Sequence, residues 1–213
     1  MGSGRTDAGV HSLYQVAHLE ARTMLSPSVL HMKINDLLPA DVNILSVEKT
    51  HPRFHARHNA ISRSYIYQIS QRRTAFGKRY VWWIKDRLDV EAMHGACAVF
   101  EGFHDFRSFT QDDPEAKSTT VDLEACRLTT HGPLLLINVR GSHFLWRMVR
   151  QMVGMIVECG RHTISPVQLR ELLSTQSSFP ATKTAPPSGL FLHHVQYDRT
   201  EEIPAVSPTI QIR

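Results

Sequence analysis

Cysteine is scarce in this sequence of 213 residues, and its few cysteines form no redox or metal-binding motif. Cys97, Cys126 and Cys159 are odd in number, widely spaced and without a CxxC pattern. We therefore expect reduced, buried thiols and an intracellular location. The 13 histidines also lack the spacing of zinc ligands, so the sequence predicts no bound metal.

Long apolar runs are missing as well. No stretch of about 18 residues is free of charged side chains, as a membrane-spanning helix would require. No apolar segment of the signal-peptide type follows Met1. We expect no membrane among the partners of this chain.

The chain is rich instead in apolar residues and basic charge. Hydrophobic residues make up 42% of it, which is enough for a buried core in one large or two small domains. The formal net charge is +4 and the pI is about 9.1. Lys and Arg that displace phosphate counterions gain binding entropy, so this balance suits a polyanionic partner without specifying one.

A glycine-rich stretch near the start, GSGRTDAGVHS at residues 2–12, contains the first candidate for chemistry. Glycine tolerates positive φ and close approach, so such a loop can present one carboxylate, that of Asp7, to a ligand. Arg5 would share a face with Asp7 in an extended backbone, where its guanidinium could clamp the carboxylate or bind a phosphate. From local composition alone, the simpler alternative is an Asx-type turn, with Asp7 bonded to its own backbone and Arg5 solvated.

Alternating and helical patterns predict the elements that follow. Strands are expected over 13–19, 42–47, 64–69 and 190–197, and a hairpin over 119–130 and 134–140. Helices are expected over 26–38, 90–101, 142–160 and 165–174. Segments 103–118 and 175–189 are predicted to be loops, with Asp112 and Asp113 in a solvated turn, and the tail from Asp198 is predicted to be loosely held. Long β runs followed by helices favour the α+β class.

Two further segments carry candidate binding residues. Residues 52–63 mix arginines and histidines with Phe54, which suits RNA backbone contact and base stacking, although a solvated basic loop fits as well. Tyr65 and Tyr67 would share one face of a strand, where most tyrosines belong to the core. On the apolar helix from residue 142, Arg147, Arg150 and Gln151 form a polar stripe, and Arg147 is interpreted as snorkelling to water.

The run GRTDAGVH at residues 4–11 resembles the active-site motif of the TruA family of tRNA pseudouridine synthases. The later motifs of that family also occur, in family order, at Phe54–Arg57, Arg63–Tyr67, Gly102–Phe109, Met148–Gly154 and Gly189–Leu192. The resemblance covers the chain from Gly2 to about Tyr197. It is closest to the eukaryotic pseudouridylate synthase-like members.

The resemblance implies the pseudouridine synthase fold, in which two ferredoxin-like halves enclose a basic cleft. Residues 1–50 would be the N-terminal catalytic half, residues 51–197 the C-terminal half and residues 198–213 a tail. Family members carry further residues before the first motif, so we expect the first half to be truncated. Any mitochondrial presequence would lie in that segment, and the compartment would be mitochondrial or cytoplasmic. A homodimer is also expected from the family.

The resemblance further implies isomerisation of uridine to pseudouridine in tRNA or another structured RNA, without a cofactor. Asp7 would attack C1′, add at C6 or act as a base at the ribose. Arg5 would brace the position vacated by a flipped uridine. Tyr65 would stack on the uracil or assist loss of the C5 proton, and Arg150 would hold Asp7 ionised. The substrate-contacting residues would be Tyr65, Arg57, Arg63 and Leu190.

Two other classes of function are open from the residues. A glycoside hydrolase also uses a carboxylate at C1′, but it needs a second carboxylate, and no other Asp or Glu lies in a comparable glycine-rich setting. A catalytically weak or inactive RNA-binding isoform is the stronger alternative, because a small displacement of Asp7 would abolish turnover and leave a basic surface intact.

Overall fold

A seven-stranded mixed sheet organises the computed structural model, which describes residues 1–112 and 118–212. The strand order is β1-β7-β2-β6-β5-β4, and β3 pairs with β2. The strands are β1 His11–Ser12, β2 Ser62–Ser70, β3 Trp82–Trp83, β4 Gly102–Asp105, β5 Thr120–His131, β6 Leu134–Gly141 and β7 Leu190–Gln196. The helices are α1 Pro27–Leu37, α2 Val90–Phe100, α3 Met148–Gly160, α4 Pro166–Ser174 and α5 Phe179–Thr182. The predicted α+β class is confirmed.

Strand β2 lies at the centre of the sheet, paired antiparallel with β6 on one side and β7 on the other. Its alternation places Tyr65, Tyr67 and Ile69 against the main core, while Ile66 belongs to a smaller cluster on the other face. The prediction that the two tyrosines share a face is confirmed. One end of β2 therefore positions Tyr65 beside the glycine-rich loop.

The main core lies between the sheet and the helices α2, α3 and α4, and α2 contacts both other helices there. Helix α3 is buried over nearly its whole circumference and ends at Gly160, as the sequence predicted. It begins at Met148 and not near Ser142, because Arg147 takes a left-handed conformation with φ of 62° and interrupts the helical path. Residues 142–147 are therefore an irregular segment that leads from the sheet into α3.

The opposite face of the sheet is covered by the C-terminal tail. Ile66, Val81, Leu134 and Leu136 form a second buried cluster, against which Val206, Ile210 and Ile212 pack. The backbone N–H of Thr209 donates to Gln68 Oε1 at 2.7 Å. The prediction of a loosely held tail is wrong. The acidic and proline residues of the tail suggested a mobile segment, but its apolar side chains pack on the sheet.

The two strands predicted over residues 13–19 and 42–47 are also wrong. Beyond β1, residues 16–18 bond to residues 1–3, with His18 N–H donating to Met1 O at 3.0 Å and Ser3 N–H to Val16 O at 2.8 Å. Residues 42–47 form no strand, and in this segment side chains of α1 bond to the backbone of Ile44. Asn35 Oδ1 accepts from Ile44 N–H at 2.7 Å, and His31 Nε2 donates to Ile44 O at 2.7 Å.

The remaining elements follow the sequence more closely. Helices α1, α2 and α4 lie where they were predicted, and the side chains of Ser26, Asp89 and Ser165 cap them. The β5–β6 hairpin and β7 are confirmed. The predicted loops contain short elements: β4 and a 3₁₀ helix at Arg107–Phe109 in the first, and α5 and a 3₁₀ helix at Pro187–Gly189 in the second. The turn predicted around Asp113 lies outside the described residues.

The three thiols are buried and free, as predicted. In the described part of the chain, no helix is both long and apolar enough to cross a membrane. Residues 1–112 and 118–212 likewise contain no group of three His, Cys, Asp or Glu side chains arranged to hold a metal ion.

Candidate active site

The glycine-rich loop presents Asp7 in a tight turn. Val10 N–H donates to Asp7 O at 3.0 Å, and Gly9 within this turn has φ of 80°, a conformation that favours glycine. A Cβ on Gly9 would lie 3.1 Å from Pro187 Cγ, so the loop packs closely on the 3₁₀ helix before β7. Positive φ and close approach together explain why glycine stands two positions after the aspartate.

The side chain of Asp7 forms an ion pair with Arg150 of α3. Arg150 Nη1 donates to Asp7 Oδ2 at 2.7 Å, and the side chains of Asp7 and Arg150 are 24% and 13% exposed. The predicted pairing is therefore present, and the alternative in which Asp7 only bonds its own backbone is wrong. Arg5 is exposed and has no ion pair within the described residues, so it does not clamp Asp7.

A backbone segment that the sequence did not reveal fixes Arg150. Arg150 Nε donates to Ala185 O at 2.8 Å, and Ala185 N–H donates to Arg150 O at 3.0 Å. The Tyr67 hydroxyl donates to the next carbonyl, that of Pro186, at 2.8 Å. Residues 183–189, which we call the clamp segment, thus connect Arg150 to the central strand.

Two glycines allow the clamp segment to lie so close. A Cβ on Gly154 of α3 would fall 1.8 Å from Lys183 O, and one on Gly189 would fall 2.8 Å from the Tyr67 ring. A glycine inside a helix is otherwise destabilising, so Gly154 was a sequence signal of this contact. Burial raises the pKa of Tyr67 well above its usual value, so its hydroxyl stays a donor at neutral pH.

Tyr65 lies on the same face of β2 at the Asp7 end. Its ring meets Phe144 edge to face, with the centroids 5.0 Å apart. Burial raises the pKa of Tyr65 to about 12, Arg63 opposes the rise, and the charge of Asp7 adds to it. The phenol is therefore neutral at physiological pH, and it is close enough to Asp7 to sense its charge.

Arg63 connects three backbone segments around the site. Its Nη1 donates to Ser142 O at 3.0 Å, and its Nη2 donates to Ser3 O at 3.1 Å and to Arg57 O at 2.8 Å. Burial lowers the pKa of Arg63 from its usual value. The guanidinium therefore joins the glycine-rich loop to the segment that leads into α3.

The other predicted substrate residues have different settings. Arg57 is exposed in the turn before β2. That turn is ordered by imidazoles: His18 Nδ1 accepts from Ala56 N–H at 3.0 Å, and His55 Nδ1 accepts from Arg57 N–H at 3.2 Å. Leu190 is buried in the main core and is paired with Tyr67 across the sheet.

These contacts assemble one anchored carboxylate beside a neutral phenol. Asp7 keeps one face accessible while Arg150 fixes its orientation, and aromatic rings of Tyr65 and Phe144 lie nearby. A carboxylate held in this way can attack an electron-poor carbon or stabilise a developing positive charge, and an aromatic ring can stack on a base. The arrangement suits chemistry at the sugar of a nucleotide.

Comparison with known proteins agrees with this arrangement. Residues 96–198 match a family described as tRNA pseudouridine synthase. The chain is 37% identical to the tRNA pseudouridine synthase A of Ehrlichia chaffeensis over 198 residues. The aligned region covers 92% of this chain and 81% of that protein. The corresponding protein of Moorella thermoacetica is 36% identical over 199 residues, with the same coverage. The tRNA pseudouridine synthase A 1 of Protochlamydia amoebophila is 34% identical over 203 residues, 93% of this chain and 79% of that protein.

At this identity and coverage, the chain belongs to the TruA family of tRNA pseudouridine synthases. The family predicted from the motifs is therefore confirmed. The relatives named above are bacterial, and the closer likeness to eukaryotic members stays a prediction.

Proposed function

We propose that this protein is an isomerase that converts uridine to pseudouridine in tRNA. The observation that carries the proposal is the ion pair of Asp7 with Arg150 inside the GRTDAGVH loop, beside the neutral phenol of Tyr65. Family membership supports the same reaction and the same class of RNA. The function therefore rests on two independent kinds of observation, geometry and sequence similarity.

The reaction is an isomerisation and consumes no second reagent. The N1–C1′ bond breaks, the uracil turns, a C5–C1′ bond forms, and the proton lost from C5 is balanced by one gained at N1. In this proposal Asp7 acts on the nucleotide, by attack at C1′, by addition at C6 or as a base at the ribose. Its anion would also stabilise an oxocarbenium-like centre at C1′.

The other site residues have separable roles in this proposal. Arg150 orients the carboxylate, because the clamp segment fixes the guanidinium that donates to it. Tyr65 stacks on the flipped uracil or assists removal of the C5 proton. Arg5, exposed at the loop, braces the vacated position in the RNA. Arg57 contacts the phosphate backbone, Arg63 fixes the loop from behind, and Leu190 supports the site from the core.

The finer architecture is part of the proposal. We place residues 1–50 in an N-terminal half and residues 51–197 in a C-terminal half, with a basic cleft between the two.

A homodimer is also proposed. It is supported by apolar side chains of the first half that are exposed in the isolated chain, which are Leu19, Met24, Met32, Leu37 and Leu45. Sedimentation of the purified protein over a range of concentrations would test the dimer.

Substitution of Asp7 by Asn tests the proposed function. We expect the variant to lose pseudouridine formation by several orders of magnitude, while its Kd for a tRNA transcript stays within about threefold, because phosphate contacts supply most of the affinity. Asp86→Asn is the control, since Asp86 also pairs with an arginine, Arg161 at 2.8 Å, on the protein surface. Turnover by Asp7→Asn would contradict the assignment. Tight binding without any product from the wild-type chain would favour the RNA-binding alternative.

A further inference from the structure

Trp146 is a large aromatic side chain left exposed at the border of the candidate site. It is 48% exposed, whereas the preceding Leu145 is buried at 9%. Tryptophan usually buries most of its surface, so an indole that is exposed to solvent is an informative exception. It lies in the irregular segment of residues 142–147, between the sheet and α3.

The backbone of Trp146 is fixed on both sides. Its N–H donates to Asp112 Oδ2 at 2.9 Å, and its carbonyl accepts from Thr110 Oγ1 at 3.2 Å. These bonds come from the loop between β4 and β5, so two parts of the chain position one exposed residue. The indole therefore extends from a rigid support and not from a free loop end.

Arg147 adds a positive charge to the same feature. Its guanidinium carbon lies 5.0 Å from the centroid of the Trp146 ring, within the range of a cation–π contact. Arg147 has φ of 62°, a conformation that is uncommon for a residue other than glycine. Within the described part of the chain it forms no ion pair, so its charge is not used to balance a neighbouring carboxylate.

This pair lies next to the residues proposed for catalysis. Phe144, two residues before Trp146, meets the Tyr65 ring at 5.0 Å. Arg150, which holds Asp7, follows Arg147 by three residues, roughly 5 Å along the axis of α3. A nucleotide bound at Asp7 and Tyr65 would therefore have its neighbour in the RNA within reach of Trp146.

We propose that Trp146 and Arg147 form a nucleotide subsite, in which the indole stacks on a base adjacent to the target uridine and the guanidinium binds a phosphate of the same strand. The inference rests on the proposed function. An unpaired base has an apolar face that suits the indole, and stacking of this kind tolerates any base. The subsite would hold the strand after the uridine has left its stack.

The chain offers a matched control. Trp83 is 40% exposed, and the guanidinium carbon of Arg73 lies 5.5 Å from its ring, so it forms the same type of pair. Trp83 is paired with Ser70 at the far end of β2, roughly 17 Å from Tyr65 along the strand. Substitution of Trp83 tests the loss of an exposed tryptophan without any loss at the proposed subsite.

Binding of a tRNA transcript to the full chain carrying Asp7→Asn would measure the subsite without turnover. We expect Trp146→Ala to raise Kd by about 5- to 150-fold, the range for losing one stacked base. Trp146→Phe keeps a stacking ring and should bind within about threefold of the parent, and Trp83→Ala within about twofold. Arg147→Gln should reduce the slope of log Kd against log salt by about one counterion.

Tryptophan fluorescence gives a second readout that does not depend on affinity. Saturating transcript should quench emission from the parent and from Trp83→Phe, and most of that quenching should disappear in Trp146→Phe. Unchanged Kd for Trp146→Ala, an equal loss for Trp83→Ala, or undiminished quenching in Trp146→Phe would each overturn the subsite. Failure of the wild-type chain to form pseudouridine would instead count against the proposed function, because that measurement is separate from binding.

Discussion

Tyr67 acts on the candidate site without contacting Asp7. Its hydroxyl bonds to Pro186 O, and the adjacent Ala185 bonds twice to Arg150. A neutral phenol buried in the core would normally be assigned a packing role alone. Here it also determines where the clamp segment lies, and through that segment the direction of the guanidinium.

Tyr67→Phe should therefore affect turnover more than RNA binding. The ring and its packing remain, but the Pro186 carbonyl loses its donor, which costs about 1 kcal/mol of stability. We expect kcat to fall by roughly tenfold with little change in Kd, because small misplacements of a catalytic group are costly. Steady-state kinetics and thermal unfolding would measure this. Tyr80→Phe, at a tyrosine 40% exposed, is the control; equal effects of the two substitutions would contradict the positioning role.

The ionisation of Tyr65 gives a prediction on pH. Burial raises its pKa to about 12, whereas an unfolded tyrosine ionises near 10. The folded state thus favours the neutral phenol, so the contribution of Tyr65 to stability is complete below about pH 10 and is lost as pH rises toward 12. The absorbance difference between wild type and Tyr65→Phe should show phenolate only near pH 12. A phenolate signal near pH 10 from the folded protein would contradict the buried setting.

At the scale of elements, the contact between α3 and the clamp segment depends on one glycine. A methyl group at position 154 would fall 1.8 Å from Lys183 O, so helix and segment would have to separate. Gly154→Ala should lower the free energy of unfolding by about 1–3 kcal/mol through overpacking, and activity should fall further because Arg150 lies one turn away.

Gly95→Ala is the matched substitution in α2. A Cβ there would lie 3.8 Å from Pro166 Cγ, an ordinary contact, and Gly95 is exposed. Alanine has the higher helix propensity, so this variant should gain up to about 1 kcal/mol. Chemical denaturation of both variants and assay of pseudouridine formation would check the pair. Stabilisation by both alanines would show that helix propensity outweighs the clamp contact.

Local signals predicted the elements that local physics determines. The capped helices α1, α2 and α4, the hairpin and the two tyrosines on one face of β2 all follow from side chains close in sequence. Residues 42–47 alternate like a strand, yet they pair with no strand, and at Ile44 the side chains of His31 and Asn35 supply the backbone hydrogen bonds. Side chains here replace a neighbouring strand as hydrogen-bond partners. That replacement depends on tertiary contacts, which the periodicity of the sequence does not predict.

The candidate site divides in the same way. The motif around Asp7 and the arginine at position 150 could be recognised from the sequence, and their ion pair is present. The hydrogen bonds that support the site could not be recognised, because each one ends on a backbone carbonyl. Arg63 bonds to Ser3 O, Tyr67 to Pro186 O and Arg150 to Ala185 O. Every residue has such a carbonyl, so no side-chain pattern distinguishes the ones that are used.

For the whole molecule, the tail contributes to stability by covering the second face of the sheet. Ile210 packs on the cluster of Ile66, Val81, Leu134 and Leu136, whereas the neighbouring Gln211 is exposed. Ile210→Ser should reduce the free energy of unfolding by about 1–3 kcal/mol through lost apolar burial, and Gln211→Ser should have little effect. Thermal unfolding and hydrogen exchange in β2 and β6 would measure it; equal stability of the two variants would contradict the packing role.

The distance in sequence between Asp7 and Arg150 has a consequence for how the enzyme is made. The two residues are 143 positions apart, and β1, which follows the aspartate loop, pairs with β7 near the end of the chain. Contacts between such remote segments require a large loop closure and tend to form slowly. During synthesis, the aspartate therefore leaves the ribosome long before the guanidinium and clamp that orient it. A nascent chain can expose its reactive motif early, but it becomes competent for catalysis only when its last strand is in place.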